Sequence, residues 1–131
     1  MSRDILSVYI DDIEQQLLAL SNIYVEVFSV NILTEKRANL KLRIRFQGKY
    51  LLAISEAILI INGQITQIDY RYHFQDENNE VIFRYDSTPH FPDLPTFPHH
   101  KHLPDTVIAA TKPDIRQVFQ EASSILETAE L

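Results

Sequence analysis

The chain has 131 residues, of which 45% are hydrophobic and only two are glycine, so we expect one domain with an apolar core and exclude a disordered chain. The absence of cysteine excludes a disulfide framework, and no run approaches the roughly 18 apolar residues of a membrane span. The N-terminus, Met-Ser-Arg-Asp-Ile, lacks the apolar core of a signal peptide, so we expect a cytoplasmic protein. The net charge of −6 argues against a general nucleic-acid coat protein.

The first half of the chain predicts one helix followed by three strands. Residues 4–21 carry apolar side chains at helical spacing, with Asp4 as the N-cap. Residues 25–34 are rich in β-branched side chains, which predicts a strand. Residues 50–61 are apolar at both odd and even positions, which predicts a central strand covered on both faces. Between them, residues 38–47 alternate between apolar positions predicted to point inward and basic positions predicted to point outward, the latter being Lys41, Arg43 and Arg45.

This third segment gives the acidic chain one basic surface. Residues 36–49 contain six of the 12 basic residues and no acid. Such a surface suits a bound polyanion, and we predict that Lys41, Arg43 and Arg45 guide RNA through backbone contacts. An ordinary solvated strand face is the alternative.

Glu56 interrupts the predicted central strand. A carboxylate is costly to bury unless it is paired or hydrogen-bonded. We therefore predict that Glu56 lies near a pocket, unless that end of the strand is open to water.

A hairpin is predicted between residues 65–75 and 81–86, with the turn centred on Asn78-Asn79. This pairing places Arg71 opposite Asp86 and His73 opposite Arg84. One face of the hairpin is then charged and the other aromatic, the aromatic residues being Tyr70, Tyr72, Phe74, Phe83 and Tyr85.

Residues 87–105 contain five of the six prolines and predict a rigid loop, while residues 113–129 predict an amphipathic helix that begins at Pro113. The fold class predicted from this order is α+β. We expect a single domain, residues 1–131, with an antiparallel sheet of about five strands, an N-terminal and a C-terminal helix, and a Pro/His-rich loop.

All five histidines lie between residues 73 and 102, three of them in the segment Pro98-His99-His100-Lys101-His102-Leu103. Histidine titrates near neutrality, transfers protons and binds metals. In an extended segment His100 and His102 project to the same side, and with His90, Asp86 or Glu56 they would supply ligands for a zinc-like or manganese-like ion. The spacing matches no strong zinc motif.

Metal-independent RNA cleavage is the other chemistry that these residue types support. It needs a base for the 2′-hydroxyl proton, an acid for the leaving oxygen and cations for the phosphate charge. The histidines suit the first two roles. For the others the chain offers Arg84, Lys101 and Arg71 as cations, Tyr72 as an orienting group, and Asp86 or Glu56 to hold Arg84.

Several segments together resemble the TumE-type toxin family of bacterial toxin–antitoxin loci. They are Tyr70-Arg71-Tyr72-His73-Phe74-Gln75-Asp76, Val81-Ile82-Phe83-Arg84-Tyr85-Asp86, Pro89-His90, and Thr96-Phe97-Pro98-His99-His100-Lys101-His102, with Glu56 upstream. The resemblance covers about residues 50–130 and implies a small cytoplasmic type II toxin neutralised by a TumA-like helix-turn-helix antitoxin. The chain departs from the pattern at Phe91, where relatives often carry a second histidine. The site residues that the resemblance implies are Glu56, Tyr72, Arg84, Asp86, His90, His99, His100 and His102.

The leading hypothesis is therefore a toxin that acts as a metal-independent ribonuclease on RNA, with or without the ribosome. Its predicted catalytic residues are those eight, and its predicted substrate-binding residues are Lys101, Arg71, Lys41, Arg43 and Arg45. No metal ligand, cofactor or membrane partner is assigned, and the oligomeric state is left open. The alternatives are a non-catalytic domain that binds RNA, the ribosome or a protein, and a metal-dependent hydrolase built on the histidines.

Overall fold

The computed structural model describes residues 4–129. The two ends of the predicted domain, residues 1–3 and 130–131, lie outside the described residues, as does most of the N-terminal pentapeptide. Two helices and seven strands follow one another in the order α1 (Ile5–Leu18), β1 (Ile23–Thr34), β2 (Arg37–Phe46), β3 (Tyr50–Ile61), β4 (Gln64–Gln75), β5 (Val81–Asp86), β6 (His100–Leu103), β7 (Thr106–Ala109) and α2 (Ile115–Ala129).

The seven strands form one antiparallel sheet in which each strand pairs with its neighbours in sequence. Short turns make this order possible. Gly48 and Gly63 adopt positive φ beside Gln47 and Asn62, which also have positive φ, and they close the turns after β2 and β3. The α+β fold class is confirmed.

The predicted number of strands was wrong, because the end of the Pro/His-rich loop forms β6 and the residues that follow the loop form β7. Prolines disfavour strand pairing since they lack a backbone donor. Between Pro98 and Pro104, however, His100–Leu103 retains its donors and pairs with β5, with Arg84 opposite His102 and Asp86 opposite His100. The loop predicted over residues 87–105 therefore ends at residue 99.

Both helices pack on the same face of the sheet. α1 begins at Asp4, whose Oδ1 accepts a hydrogen bond from the Ser7 amide at 2.9 Å, the predicted N-cap. Apolar side chains of α1 and α2 form one core with the inward residues of the strands, among them Leu40, Leu42, Ile44, Tyr72, Phe74 and Phe83. Within residues 4–129, no helix is long and apolar enough to cross a membrane.

The opposite face of the sheet, here called the open face, carries no helix. Ser55 of β3 is exposed there, so the prediction that this strand is covered on both faces was wrong. Ala53 and Ala57 explain the error, because alanine is apolar like a core residue but is small enough to lie on an open surface. The inward and outward alternation predicted for β2 is confirmed.

Candidate functional site

The strand register assembles two rows of polar side chains on the open face. One row runs from Lys41 through Ser55 and Arg71 to Asp86 and His100. The second, parallel row runs from Arg43 past His73 to Arg84 and His102. The predicted pairing of Arg71 with Asp86 and of His73 with Arg84 is confirmed, and it is the reason that these side chains meet.

Four residues at the β5–β6 end of these rows form the open-face cluster: Arg84, Asp86, His100 and His102. His100 Nε2 lies 2.8 Å from Asp86 Oδ1 and 3.1 Å from His102 Nε2. His102 Nε2 lies 3.6 Å from Asp86 Oδ2. Three groups that are able to bind a metal or transfer a proton therefore converge at one point.

Backbone groups hold this arrangement in place. His100 Nδ1 lies 3.0 Å from the carbonyl oxygen of Pro98, which accepts its hydrogen. Asp86 Oδ1 accepts a hydrogen bond from the Thr88 amide at 3.0 Å. Asp86 and His100 are both almost fully buried, whereas His102 is partly exposed, so His102 is the histidine of the cluster that a substrate reaches most easily.

Arg84 places a positive charge in the cluster, and its Nε is not fully used in hydrogen bonding. Its Nε lies 3.5 Å from Asp86 Oδ2 but is buried without a hydrogen-bond partner among the described residues. An unpaired buried donor of this kind is suited to an anionic ligand. Burial, followed by the nearby charge of Arg84, lowers the pKa of His102, so its neutral form, the one able to accept a proton, is favoured.

The loop before β6 covers the cluster with an aromatic ring. The edge of Phe91 approaches His100 at 5.0 Å and His102 at 5.9 Å between ring centroids. His90 is exposed, and its ring lies 6.4 Å from that of Phe91. Phe91 is thus a wall of the site, and His90 lies at its rim.

A cleft of about 320 Å³ opens on the same face beside the cluster. Its lining includes Lys41, Arg71, Asp69 and Thr88, together with Glu56 and Tyr70. The rest of the basic strand is partly neutralised, because Glu26 lies 3.6 Å from Arg43 Nε and 2.9 Å from Arg45 Nε. Lys41 and Arg71 are therefore the predicted RNA-binding residues that line a concave surface next to the cluster.

Glu56 lies on the helix face, in what we call the buried tyrosine cluster: Tyr9, Glu56, Tyr70, Tyr72 and Lys112. Its carboxylate accepts hydrogen bonds from the Tyr9 hydroxyl at 2.6 Å and the Tyr72 hydroxyl at 2.5 Å. Burial raises the pKa of Glu56, although both hydrogen bonds and the charge of Lys112 oppose that shift. Burial also raises the pKa of Tyr72, so its phenol keeps its proton and remains a donor.

Two further predicted site residues point away from the open-face cluster. His99 Nδ1 lies 2.9 Å from the Tyr70 hydroxyl, and the two rings stack. Lys101 Nζ donates to Glu121 of α2 at 2.6 Å. Seven of the eight predicted catalytic residues therefore divide between two sides of the sheet, with Arg84, Asp86, His100 and His102 on one and Glu56, Tyr72 and His99 on the other. The eighth, His90, is exposed at the rim of the open-face cluster.

Sequence reasoning missed three participants. Tyr9 of α1 donates a hydrogen bond to Glu56, and Lys112, which precedes α2, contacts the rings of Tyr70 and Tyr72. Lys112 Nζ lies 5.4 Å from the centre of the Tyr70 ring and 5.5 Å from that of Tyr72. The Pro98 carbonyl has no signal in the sequence, because any residue offers one.

Comparison with known proteins gives one family. The family described as Toxin TumE matches residues 13–129, which include the whole sheet, the open-face cluster and all of the buried tyrosine cluster except Tyr9. No curated protein and no solved structure matches the chain.

Proposed function

We propose, from the premise that the chain belongs to the TumE toxin family, that this toxin is a ribonuclease whose reactive centre is the open-face cluster. The observation that carries the proposal is the convergence of Asp86, His100 and His102 beside Arg84, whose Nε lies near Asp86 but makes no hydrogen bond within the described part of the chain. These groups supply the proton transfer and the fixed positive charge that phosphodiester cleavage requires.

The open face gives the RNA strand a route to that centre. Lys41 and Arg71 belong to the same row as Asp86, and the three strand spacings from β2 to β5 amount to about 14 Å at the usual separation of paired strands. A phosphate backbone lying along this row meets Lys41 and Arg71 in the cleft before it reaches Arg84. Such contacts bind RNA without reading its bases.

The reaction that we propose from this placement is a transesterification within the RNA, in which the phosphorus is transferred from the 5′-oxygen to the 2′-oxygen. The 2′-hydroxyl loses its proton to the open-face cluster, directly or through a water that the cluster binds, and its oxygen attacks the adjacent phosphorus. The bond to the 5′-oxygen breaks, and that oxygen takes up a proton. The products are a 2′,3′-cyclic phosphate and a 5′-hydroxyl, while Arg84 stabilises the charge that accumulates on the phosphate oxygens.

Membership of a toxin family also implies an antitoxin partner. We propose that this partner is a TumA-like helix-turn-helix protein of a type II system, and that the toxin acts on RNA in the cytoplasm. An antitoxin bound over the open face would neutralise the toxin by blocking the cleft and the cluster together.

The test is cleavage of an end-labelled synthetic RNA by the purified chain, with His102→Ala and His99→Ala compared in parallel. These two variants remove histidines from the same short segment but from different clusters. We expect the parent and His99→Ala to cut, and His102→Ala to be slower by at least about a hundredfold, the lower range for one acid–base group.

Equal cleavage by the parent and His102→Ala would contradict the placement of the reactive centre. RNA that is bound but not cut, whether free or carried on ribosomes, would instead favour the non-catalytic binding protein. In that case toxicity should survive His102→Ala and depend on Lys41 and Arg71.

A further inference from the structure

The open-face cluster has the geometry of a metal site. We propose that Asp86, His100 and His102 bind one divalent transition-metal ion of the Zn²⁺ type. Two imidazole nitrogens and one carboxylate oxygen form a donor set that suits zinc and its neighbours rather than magnesium or calcium. The metal's part in RNA cleavage rests on the function proposed above, whereas its binding does not.

The hydrogen bond of His100 to the backbone is the first argument. A carbonyl only accepts, so the Pro98 oxygen fixes the hydrogen of His100 on Nδ1. In the neutral ring Nε2 then carries a lone pair, which faces Asp86 Oδ1 at 2.8 Å. A shared proton or a metal ion satisfies both atoms at that separation, and the third ligand distinguishes the two.

The third ligand favours a metal ion over a proton. His102 Nε2 lies 3.1 Å from His100 Nε2 and 3.6 Å from Asp86 Oδ2, so three ligand atoms surround one point. A proton is shared by only two of these atoms, whereas a metal ion binds all three. Metal–ligand bonds of 2.0–2.1 Å place the ligand atoms of a tetrahedral ion about 3.3 Å apart, close to the separations seen here.

The surroundings match those of known metal ligands. A ligating histidine usually donates its other ring nitrogen to a backbone or carboxylate oxygen, as His100 does to Pro98. The Thr88 amide orients Asp86, and the Phe91 edge shields both imidazoles. With three protein ligands, a tetrahedral ion keeps one position open for water or a phosphate oxygen. Arg84 Nε lies 3.5 Å from Asp86 Oδ2, which brings a fixed positive charge beside the proposed site.

The test uses the untagged full chain after treatment with EDTA, titrated with ZnCl₂ by calorimetry and with Co²⁺ by visible absorption. We expect one ion per chain and Co²⁺ bands typical of a nitrogen- and oxygen-ligated site. His102→Ala and Asp86→Asn should each weaken binding by at least about tenfold. The matched controls, His73→Ala on the same face and His99→Ala beside Tyr70, should bind as the parent does.

The proposal is overturned if the parent binds neither ion, or if His102→Ala and Asp86→Asn both bind as tightly as the parent. Circular dichroism of the two variants, compared with that of the parent, separates lost ligation from lost folding. Ion binding without RNA cleavage would support the metal site and contradict the proposed ribonuclease activity. Full cleavage in EDTA by a chain that binds no ion would support the ribonuclease activity and contradict the metal site.

Discussion

Two buried carboxylates, Asp86 and Glu56, lie on opposite faces of the same sheet and are bonded differently. Both are almost inaccessible, with exposed fractions of 3% and 2%. Glu56 accepts from two phenols whose pKa values burial raises, and it lies on the face of the sheet that packs against the helices. Asp86 faces two histidines and an arginine at a surface that no helix covers.

The difference separates a structural role from a chemical one. The bonding capacity of Glu56 is used inside the core, and its loss would leave two buried hydroxyls without an acceptor. The partners of Asp86 are themselves able to bind anions, protons or metals, and one of them, Arg84 Nε, has no hydrogen-bond partner within residues 4–129. We therefore expect variants on the helix face to change stability and variants on the open face to change activity.

The largest effect should follow Arg84→Ala. Removing the fixed charge at the phosphate should slow RNA cleavage by at least about a hundredfold, the range for one donor to a developing oxyanion. Arg84→Lys should recover little of the loss, because a point charge does not reproduce the planar fork of guanidinium. The measurement is the single-turnover rate on a labelled RNA, with Arg116→Ala on exposed α2 as the control. A cleavage rate within threefold of the parent rate, a difference of roughly 0.7 kcal/mol in activation free energy, would contradict the assignment of activity to the open face.

On the helix face, Tyr72→Phe should lower the free energy of unfolding by about 1.5–3 kcal/mol, because it removes a buried hydrogen bond to a carboxylate. Denaturant unfolding measures this change. The control is Tyr24→Phe, at an exposed position, which should stay within about 0.5 kcal/mol of the parent. If Tyr72→Phe were as stable as the parent but inactive, Tyr72 would belong to the catalytic machinery.

The pH dependence of stability sharpens the same distinction. The pKa of Glu56 is raised by burial from its ordinary value of 4.5, so folding favours the protonated carboxyl. Its contribution is present below pH 4.5 and is lost as pH rises through the higher folded pKa. The stability of the parent relative to Glu56→Gln should therefore fall with rising pH across that window.

Glu26 provides a control of opposite sign for this pH series. Arg45 holds the pKa of Glu26 below its usual value, so the contribution of Glu26 is present at neutral pH and is lost as pH falls. Unfolding curves of the parent, Glu56→Gln and Glu26→Gln across the acidic range give both slopes. A difference between parent and Glu56→Gln that does not change with pH would contradict the raised pKa.

The smallest effect concerns RNA affinity. Lys41→Ala combined with Arg71→Ala should flatten the dependence of log affinity on log salt by about 0.7 for each phosphate of single-stranded RNA that the protein no longer neutralises. Lys36→Ala combined with Arg116→Ala removes the same charge outside the cleft and should leave the slope almost unchanged. If both double variants show the same slope of log affinity against log salt, Lys41 and Arg71 belong to an ordinary solvated surface and do not bind RNA phosphates.

Much of the fold follows from the sequence because alternation and turn residues are local signals. The hairpin of β4 and β5 was predicted in its observed register, and that register brought Arg84 beside His73 and Asp86 beside Arg71. Prolines 98 and 104 concealed β6, because they obscure a four-residue strand that lies between them. The sequence therefore predicted that the His100 and His102 side chains project to the same side of an extended segment, but it did not show that this segment pairs with β5.

The division of the site into two clusters was not predictable from residue types. His99 is adjacent to His100, and only strand pairing decides that one ring contacts Tyr70 while the other faces Asp86. Glu56 was recognised as a buried acid that needs partners, but those partners come from α1 and β4, which are distant in sequence.

The most direct test of the two-cluster account compares Asp86→Asn with Glu56→Gln, since both replace a buried carboxylate by its amide. RNA cleavage and the free energy of unfolding are measured on each purified variant at a temperature where both are folded. We predict that Asp86→Asn loses at least about a hundredfold in cleavage rate while Glu56→Gln still cleaves and differs from the parent in the pH dependence of its stability. Full activity in Asp86→Asn together with an inactive, stably folded Glu56→Gln would contradict the account.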